Sequence, residues 1–377
     1  MQDLSHDITE LVRPFAEREA GNAEVFPAQN LADLYRAGIP GAPFAAAHGG
    51  RGASLTDCVR ATEAVAAASA STALLLSMPL GLAGVYTAAE EVVAGEHRTS
   101  FFAQLDEATA DYRLGRIYAA CNSERGAGGS LAATKAVVDI GADGRPAISG
   151  EKILASSGLF AYRFFSTARV GPGQLAGAAD VEFFLVRADG VGVEILDDWD
   201  GFGMRSTESQ TVRYSAAPVD GVLCYPDLIA RVQPLQYFYC LFAGVSLGAV
   251  RGMMEAIANP APASPALRLR FAEATMRYEA MRAYLAETAG LFRPAAGPAY
   301  AARVLRMKTY VTQESTRLAA ELFALSGGRH YRRSSPVARA FADSFAGTAL
   351  RPPLALALDT LLEEFSLPGD EPGGQRV

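Results

Sequence analysis

The feature that most constrains this chain is a change of hydrophobic period near residue 115 that is undone near residue 225. Upstream, Leu4, Ile8, Leu11, Val12 and Phe15 recur at helical spacing, and Ser54 followed by Asp57 has the form of a capping box. Gly49, Gly50 and Gly52 mark a tight turn just before it. The middle segments "TKAVVDI", "RFFSTARV", "DVEFFLV", "VGVEIL" and "QTVRYSA" are short, β-branched and aromatic, with the turns "GADGRP" and "RADGVG" among them. They predict an antiparallel sandwich or barrel. Downstream, 237–258 is almost uncharged, as the central helix of a bundle would be, and prolines at 260, 262 and 265 would end it. Three more helical stretches follow at 269–291, 299–325 and 336–365. The order predicts an α+β fold: an N-terminal helical domain over 1–114, a middle antiparallel β domain over 115–224, a C-terminal four-helix bundle over 225–368 and a frayed tail over 369–377.

Several function classes are disfavoured by the same residues. A net charge of −7, spread without blocks, does not suit a nucleic-acid surface. Cys58, Cys121, Cys224 and Cys240 are far apart, and the four histidines lack metal-ligand spacing, so neither a disulfide framework nor a metal site is expected. The N-terminus is charged and amphipathic rather than a signal peptide, which together with the cysteines predicts a cytoplasmic protein. Residues 64–89 carry no charge, but they are rich in Ser, Thr, Gly and Ala and include Pro79, which is expected to interrupt them; buried helices are expected there, not a membrane span. No G-x-G-x-x-G, G-x-S-x-G or Walker loop is present.

Four pieces carry chemistry. "AACNSERGAGGSL" offers the Ser123 and Ser130 hydroxyls and a glycine loop whose backbone N–H groups can approach a ligand. "ISGEKILASSG" runs a strand into Ser156 and Ser157; "DWDGFGMRSTESQTVRYSAAPVDG" and "ALSGGRHYRRSSPVARAFADS" follow. In this order they resemble the acyl-CoA dehydrogenase superfamily motifs T-E-P-G-A-G-S-D, G-E-K-x-W-I-T-N-G, G-M-R-x-T-x-S and G-G-x-G-Y, and "AHGGRGASL" is similar to the early Y-G-G-x-G loop. The resemblance spans nearly the whole chain.

The resemblance implies FAD held between the β domain, the bundle and a neighbouring subunit, in a homodimer or homotetramer, and an acyl-CoA or carrier-bound acyl substrate. It would place Ser123 and Ser156 at the flavin ring, Ser130 near the phosphates, and Gly327 and Gly328 against a partner subunit's dinucleotide. Glu124 reads as structural and His330 as a minor catalytic candidate. Met78, Tyr237, Phe238, Leu350 and Arg351 would line the substrate pocket. The chain departs from the pattern in three places. Leu154 stands for the tryptophan that packs on flavin, Asn122 stands for an apolar residue, and the R-x-x-F-G dinucleotide clamp is replaced by "NPAPASPALRLRFAEA".

The largest departure concerns the base. Removing a thioester α-proton needs a positioned, desolvated carboxylate. The family's two glutamate positions fall on Arg351 or Ala346, depending on register, and on Phe238. The reading is therefore a FAD-dependent oxygenase or oxidase using molecular oxygen, with Asn122 able to supply a polar group near the ring. Two alternatives stand beside it: a dehydrogenase with a base elsewhere, such as Glu208 or Asp198, and a flavin-less assembly partner.

Overall fold

The computed structural model describes residues 4–141, 144–258 and 264–364. Among the described residues six α-helices come first: α1 (Leu4–Val12), α2 (Phe15–Gly21), α3 (Ala28–Arg36), α4 (Leu55–Ala68), α5 (Ala70–Val92) and α6 (Arg98–Arg113). The capping box forms. Ser54 Oγ accepts from the Asp57 N–H, and the Asp57 carboxylate accepts from the Ser54 N–H. In the preceding turn a Cβ on Gly50 would sit 2.0 Å from the Phe44 carbonyl oxygen, so no larger residue fits. Pro79 does not interrupt the apolar stretch, contrary to expectation, and α5 runs through it. The break falls at Ser69, which is extended and caps α5 by accepting from the Thr72 N–H. A proline costs a helix one hydrogen bond, and here burial on nearly all sides holds the helix together.

Eight strands follow among the described residues: β1 (Tyr118–Ala120), β2 (Val137–Ile140), β3 (Pro146–Ala155), β4 (Arg163–Val170), β5 (Val181–Arg187), β6 (Val193–Ile195), β7 (Gln210–Pro218) and β8 (Gly221–Val222). They form one sheet in the order β6-β7-β3-β2-β4-β5-β8, with β1 also on β4. The sheet is mixed rather than purely antiparallel, because β1 and β2 both run parallel to β4 along the same edge. β1 pairs with Arg163 to Phe165 and β2 with Arg169 and Val170, leaving Thr167 between them. Side chains close that gap. Asn122 Oδ1 accepts from the Thr167 N–H at 2.9 Å, and buried Lys152 Nζ donates to its carbonyl at 2.6 Å. Part of the turn "GADGRP" lies outside the described residues.

The helical period then returns in α7 (Leu228–Val232), α8 (Leu235–Ala258), α9 (Pro265–Gly290), α10 (Pro298–Leu325), α11 (Pro336–Ser344), α12 (Ala346–Ala349) and α13 (Leu354–Glu364). α8 is central, packed on α4, α5, α9, α10 and α11. The fourth bundle position, expected as one stretch, is three short helices. Leu350 is extended ahead of Arg351, Pro352 and Pro353, and consecutive prolines cannot continue a helix. Pro265 opens α9; Pro260, Pro262 and the tail lie outside the described residues. α5 and α8 are long and apolar enough to cross a membrane, but 94% and 78% of their apolar windows are buried inside the fold.

Candidate functional site

A cavity of about 300 Å³ opens where the three units meet. α5 contributes Leu74 and Met78, the sheet and its flanks contribute Ala120, Asn122, Ser123, Leu154, Ser156, Phe165 and Phe183, and a loop contributes Trp199, Phe202, Gly203, Met204 and Ser209. α8 supplies Leu235, Phe238, Tyr239 and Phe242, at i, i+3, i+4 and i+7 on one helix face. The segment 342–351 closes it with Phe345, Ala346, Leu350 and Arg351. No carboxylate lines it among the described residues.

The cavity gathers Met78, Asn122, Ser123, Leu154, Ser156, Phe238, Ala346, Leu350 and Arg351, which the sequence singled out. Ser123 forms an isolated bridge to Ile153, which turns its side chain inward. Glu124, next along, faces the sheet interior and accepts from Lys152 Nζ at 2.5 Å and from the Lys135 and Ala136 N–H groups. Burial alone would raise its pKa, but the lysine and the backbone donors hold it below the usual range. Leu154 has φ 58° at a break in the β3–β7 register and is half exposed into the cavity. Such irregularities re-aim side chains.

Ser156 ends a hydroxyl chain. Its Oγ lies 2.9 Å from Ser209 Oγ, which lies 2.7 Å from Thr207 Oγ1, and Thr207 donates to the Met204 carbonyl at 2.8 Å. Each hydroxyl has one proton. With that of Thr207 committed, Ser209 donates to Thr207 and Ser156 to Ser209, so the Ser156 oxygen meets the cavity as an acceptor. Asn122 is placed oppositely. Its Oδ1 is taken by Thr167, which leaves its NH2 as a donor.

Other expected site residues lie elsewhere. Tyr237 is in the core, not the pocket: its ring lies against Gly84 and its hydroxyl donates to Cys58 Sγ. One residue off the cavity face of α8, it points toward α5. His330 is outside the cavity in a 3-10 turn, where its Nε2 accepts from Arg329 and its Nδ1 pairs with Ser335 Oγ. Burial and Arg329 lower its pKa. Gly327 and Gly328 are exposed in the same turn, and Ser130 does not reach the cavity. Gly129 has a packing reason to be glycine, because a Cβ there would meet Pro353 Cδ at 2.3 Å. Glu208 pairs with Gln210, and Asp198 accepts from the Thr211 N–H, so neither carboxylate is in the cavity.

Trp199, Phe202, Phe345 and Ser209 line the cavity without having been singled out, and Tyr239, which belongs to the aromatic run 237–239, lines it too. The four-residue face beginning at Leu235 would have selected Tyr239 over Tyr237. The loop residues carry no periodic signal. Behind the wall, Met204 N–H donates to buried Asp343 at 2.6 Å, and burial pushes that carboxyl up to about 6. Lys308, pulled down to about 7 by burial, donates to the Leu350 and Pro352 carbonyls.

Comparison with known proteins bears on the family and the fold. Residues 5–93 match the acyl-CoA dehydrogenase N-terminal domain and residues 241–350 an acyl-CoA dehydrogenase C-terminal domain. The chain is 24% identical over 336 residues to YdbM of Bacillus subtilis (strain 168), an acyl-CoA dehydrogenase by name, covering 85% of each. It is 25% identical over 256 residues to the amino sugar nitrososynthase DnmZ of Streptomyces peucetius, covering 62% of this chain and 60% of that one. Among solved structures, FMN-bound TdsC of Paenibacillus sp. A11-2, a dibenzothiophene monooxygenase, superposes with a TM-score of 0.81 at 21% identity, over 96% of this chain and 97% of that one. At that identity the likeness speaks for the fold.

Proposed function

For a chain that belongs to the acyl-CoA dehydrogenase superfamily through both its N-terminal and its C-terminal domains, we propose a flavin-dependent oxidoreductase that uses molecular oxygen rather than one that desaturates acyl-CoA. The observation that carries this is the cavity wall itself. Desaturation needs a carboxylate beside the substrate, and the wall offers Arg351, Ala346 and Phe238 instead. A cationic guanidinium cannot remove a proton.

The cavity suits a flavin ring by its own chemistry. Trp199, Phe238 and Leu154 give apolar faces, while Ser123, Ser156 and Asn122 give a polar edge. Bound flavin would supply two-electron redox chemistry and, once reduced, reaction with oxygen. Ser156 would accept from an N–H at the ring edge, Ser123 and the Asn122 amide would donate to carbonyls or to an oxygen species, and the aromatic walls would exclude water. FAD is the form the superfamily implies, and the FMN in TdsC makes the mononucleotide the competing form. Both the TdsC and DnmZ names denote chemistry other than acyl desaturation, which supports the oxygen-using reading.

The second reading, acyl-CoA desaturation, is favoured by the family of both matched domains. One experiment separates them. The purified protein is mixed without oxygen with a panel of saturated acyl-CoA esters while its visible spectrum is followed. The proposal expects the flavin to stay oxidised. After chemical reduction, admission of 18O2 is expected to put labelled oxygen into a product. Bleaching by a saturated ester would establish the desaturation reading instead, and a protein that takes up neither FAD nor FMN would end both.

A further inference from the structure

The segment that presents Arg351 is fixed from both sides. Lys308 Nζ donates to the Leu350 and Pro352 carbonyls, each at 2.8 Å, so one buried amine clamps the peptides flanking Arg351. The guanidinium donates to the Gly129 carbonyl at 2.6 Å and the Asn122 carbonyl at 3.0 Å, which orients it against the sheet. These two bonds use two of its five N–H groups and neutralise none of its charge. Among the described residues no carboxylate pairs with it. Glu124 is already engaged by Lys152 and two backbone N–H groups.

A largely buried cation without a counter-ion is costly, and a positioned one is a place for an anion. Tyr239 lines the cavity with it, and its hydroxyl makes no hydrogen bond among the described residues. Burial pushes that phenol up to about 12, so it remains a donor at working pH. Phe165, Phe238 and Phe345 give the wall an apolar stretch apart from the edge formed by Asn122, Ser123 and Ser156. A single cation and a small cavity suit a monoanion better than a phosphate dianion.

We propose that this cavity holds, beside the flavin, a small aromatic molecule bearing one carboxylate, with the carboxylate on Arg351 and Tyr239 and the ring among the phenylalanines. The proposal rests on the flavin reading only in assigning the cavity to a substrate.

The test is calorimetric titration of the full-length protein, as purified and after incubation with FAD or FMN, with 3-phenylpropanoate and its neutral amide. A bond to a charged partner implies tighter binding of the acid by about tenfold or more. Arg351→Gln is expected to erase that preference and Tyr239→Phe to reduce it, with the melting temperature reporting that each variant is folded. Equal binding of acid and amide by the wild type, binding of neither, or a preference that survives in folded Arg351→Gln overturns the proposal. The wild-type comparison decides even where a variant does not fold. Flavin uptake is read separately from visible absorbance. Uptake without acid preference leaves the flavin reading standing, and acid preference without uptake leaves the anion site standing.

Discussion

Asp343 shows at the scale of one residue how the cavity wall is joined to the bundle. It is 4% exposed, accepts from the Met204 N–H, and sits behind a loop where a Cβ on Gly203 would lie 2.4 Å from the Ala342 carbonyl oxygen. Burial, opposed by the Met204 bond and by Arg339 and Arg205, raises its pKa from 3.8 to about 6. The folded state therefore binds the proton more tightly than the unfolded chain. This contribution to stability is complete below the unfolded pKa of about 4 and is lost as pH rises through the folded value. The loss is on the order of 3 kcal/mol. Asp343→Asn keeps the acceptor and cannot ionise, so its stability should fall less between about pH 4 and pH 7. Urea midpoints of both proteins across that range measure this, and equal slopes would refute it. Glu19, raised to about 7 by burial, acts in the same direction, so the variant retains some slope.

Between elements, the decisive contact is α8 on α4, and glycine sets its closeness. A Cβ on Gly248 would stand 2.3 Å from the Glu63 carbonyl oxygen and 2.5 Å from Ala66 Cβ, whereas on Gly244 the nearest atom is 3.3 Å away. Gly248→Ala should cost about 1–3 kcal/mol through overpacking, and Gly244→Ala should be near neutral because better helix propensity offsets a mild contact. Equal denaturation midpoints for the two variants would contradict this account. Helices and strands with strong periodicity were legible from sequence: the Ser54 cap, the long α8, and the five quoted strands all appear. What escaped it was non-local. Nothing in the period shows that β1 and β2 share an edge of β4, or that Asn122 and Lys152 fill the gap at Thr167. Pro79 misled because burial overrides a local breaker. The hydroxyl rim followed from motif order, whereas Trp199, Phe202 and Ser209 lie on a loop whose path is set by tertiary packing, including the Asp343 and Gly203 contacts.

Across the whole molecule, the cavity lies at the junction of the helical unit, the sheet and the bundle, so a ligand there touches all three. A ligand that binds only the folded state stabilises it by RT ln(1 + [L]/Kd), about 2.7 kcal/mol at a hundredfold excess over Kd. A flavin held in the cavity should therefore raise the melting temperature of the entire cooperative unit rather than of one part, since the cavity lining runs from Met78 through Ser156 to Leu350. The chain provides its own reporter. Its only tryptophan, Trp199, lines the cavity, with its indole N–H donating to the Arg205 carbonyl at 3.0 Å. Flavin absorbs where tryptophan emits, so adding FAD or FMN to flavin-free protein should quench its emission in a saturable way. The quench and the rise in melting temperature should follow the same concentration dependence. A quench without stabilisation would mean that flavin rests on the Trp199 loop alone, and stabilisation without a quench would place it outside the cavity. Ser156→Ala, which removes the acceptor at the end of the hydroxyl chain, should shift both curves together to higher flavin concentration, by about three- to tenfold for one hydrogen bond.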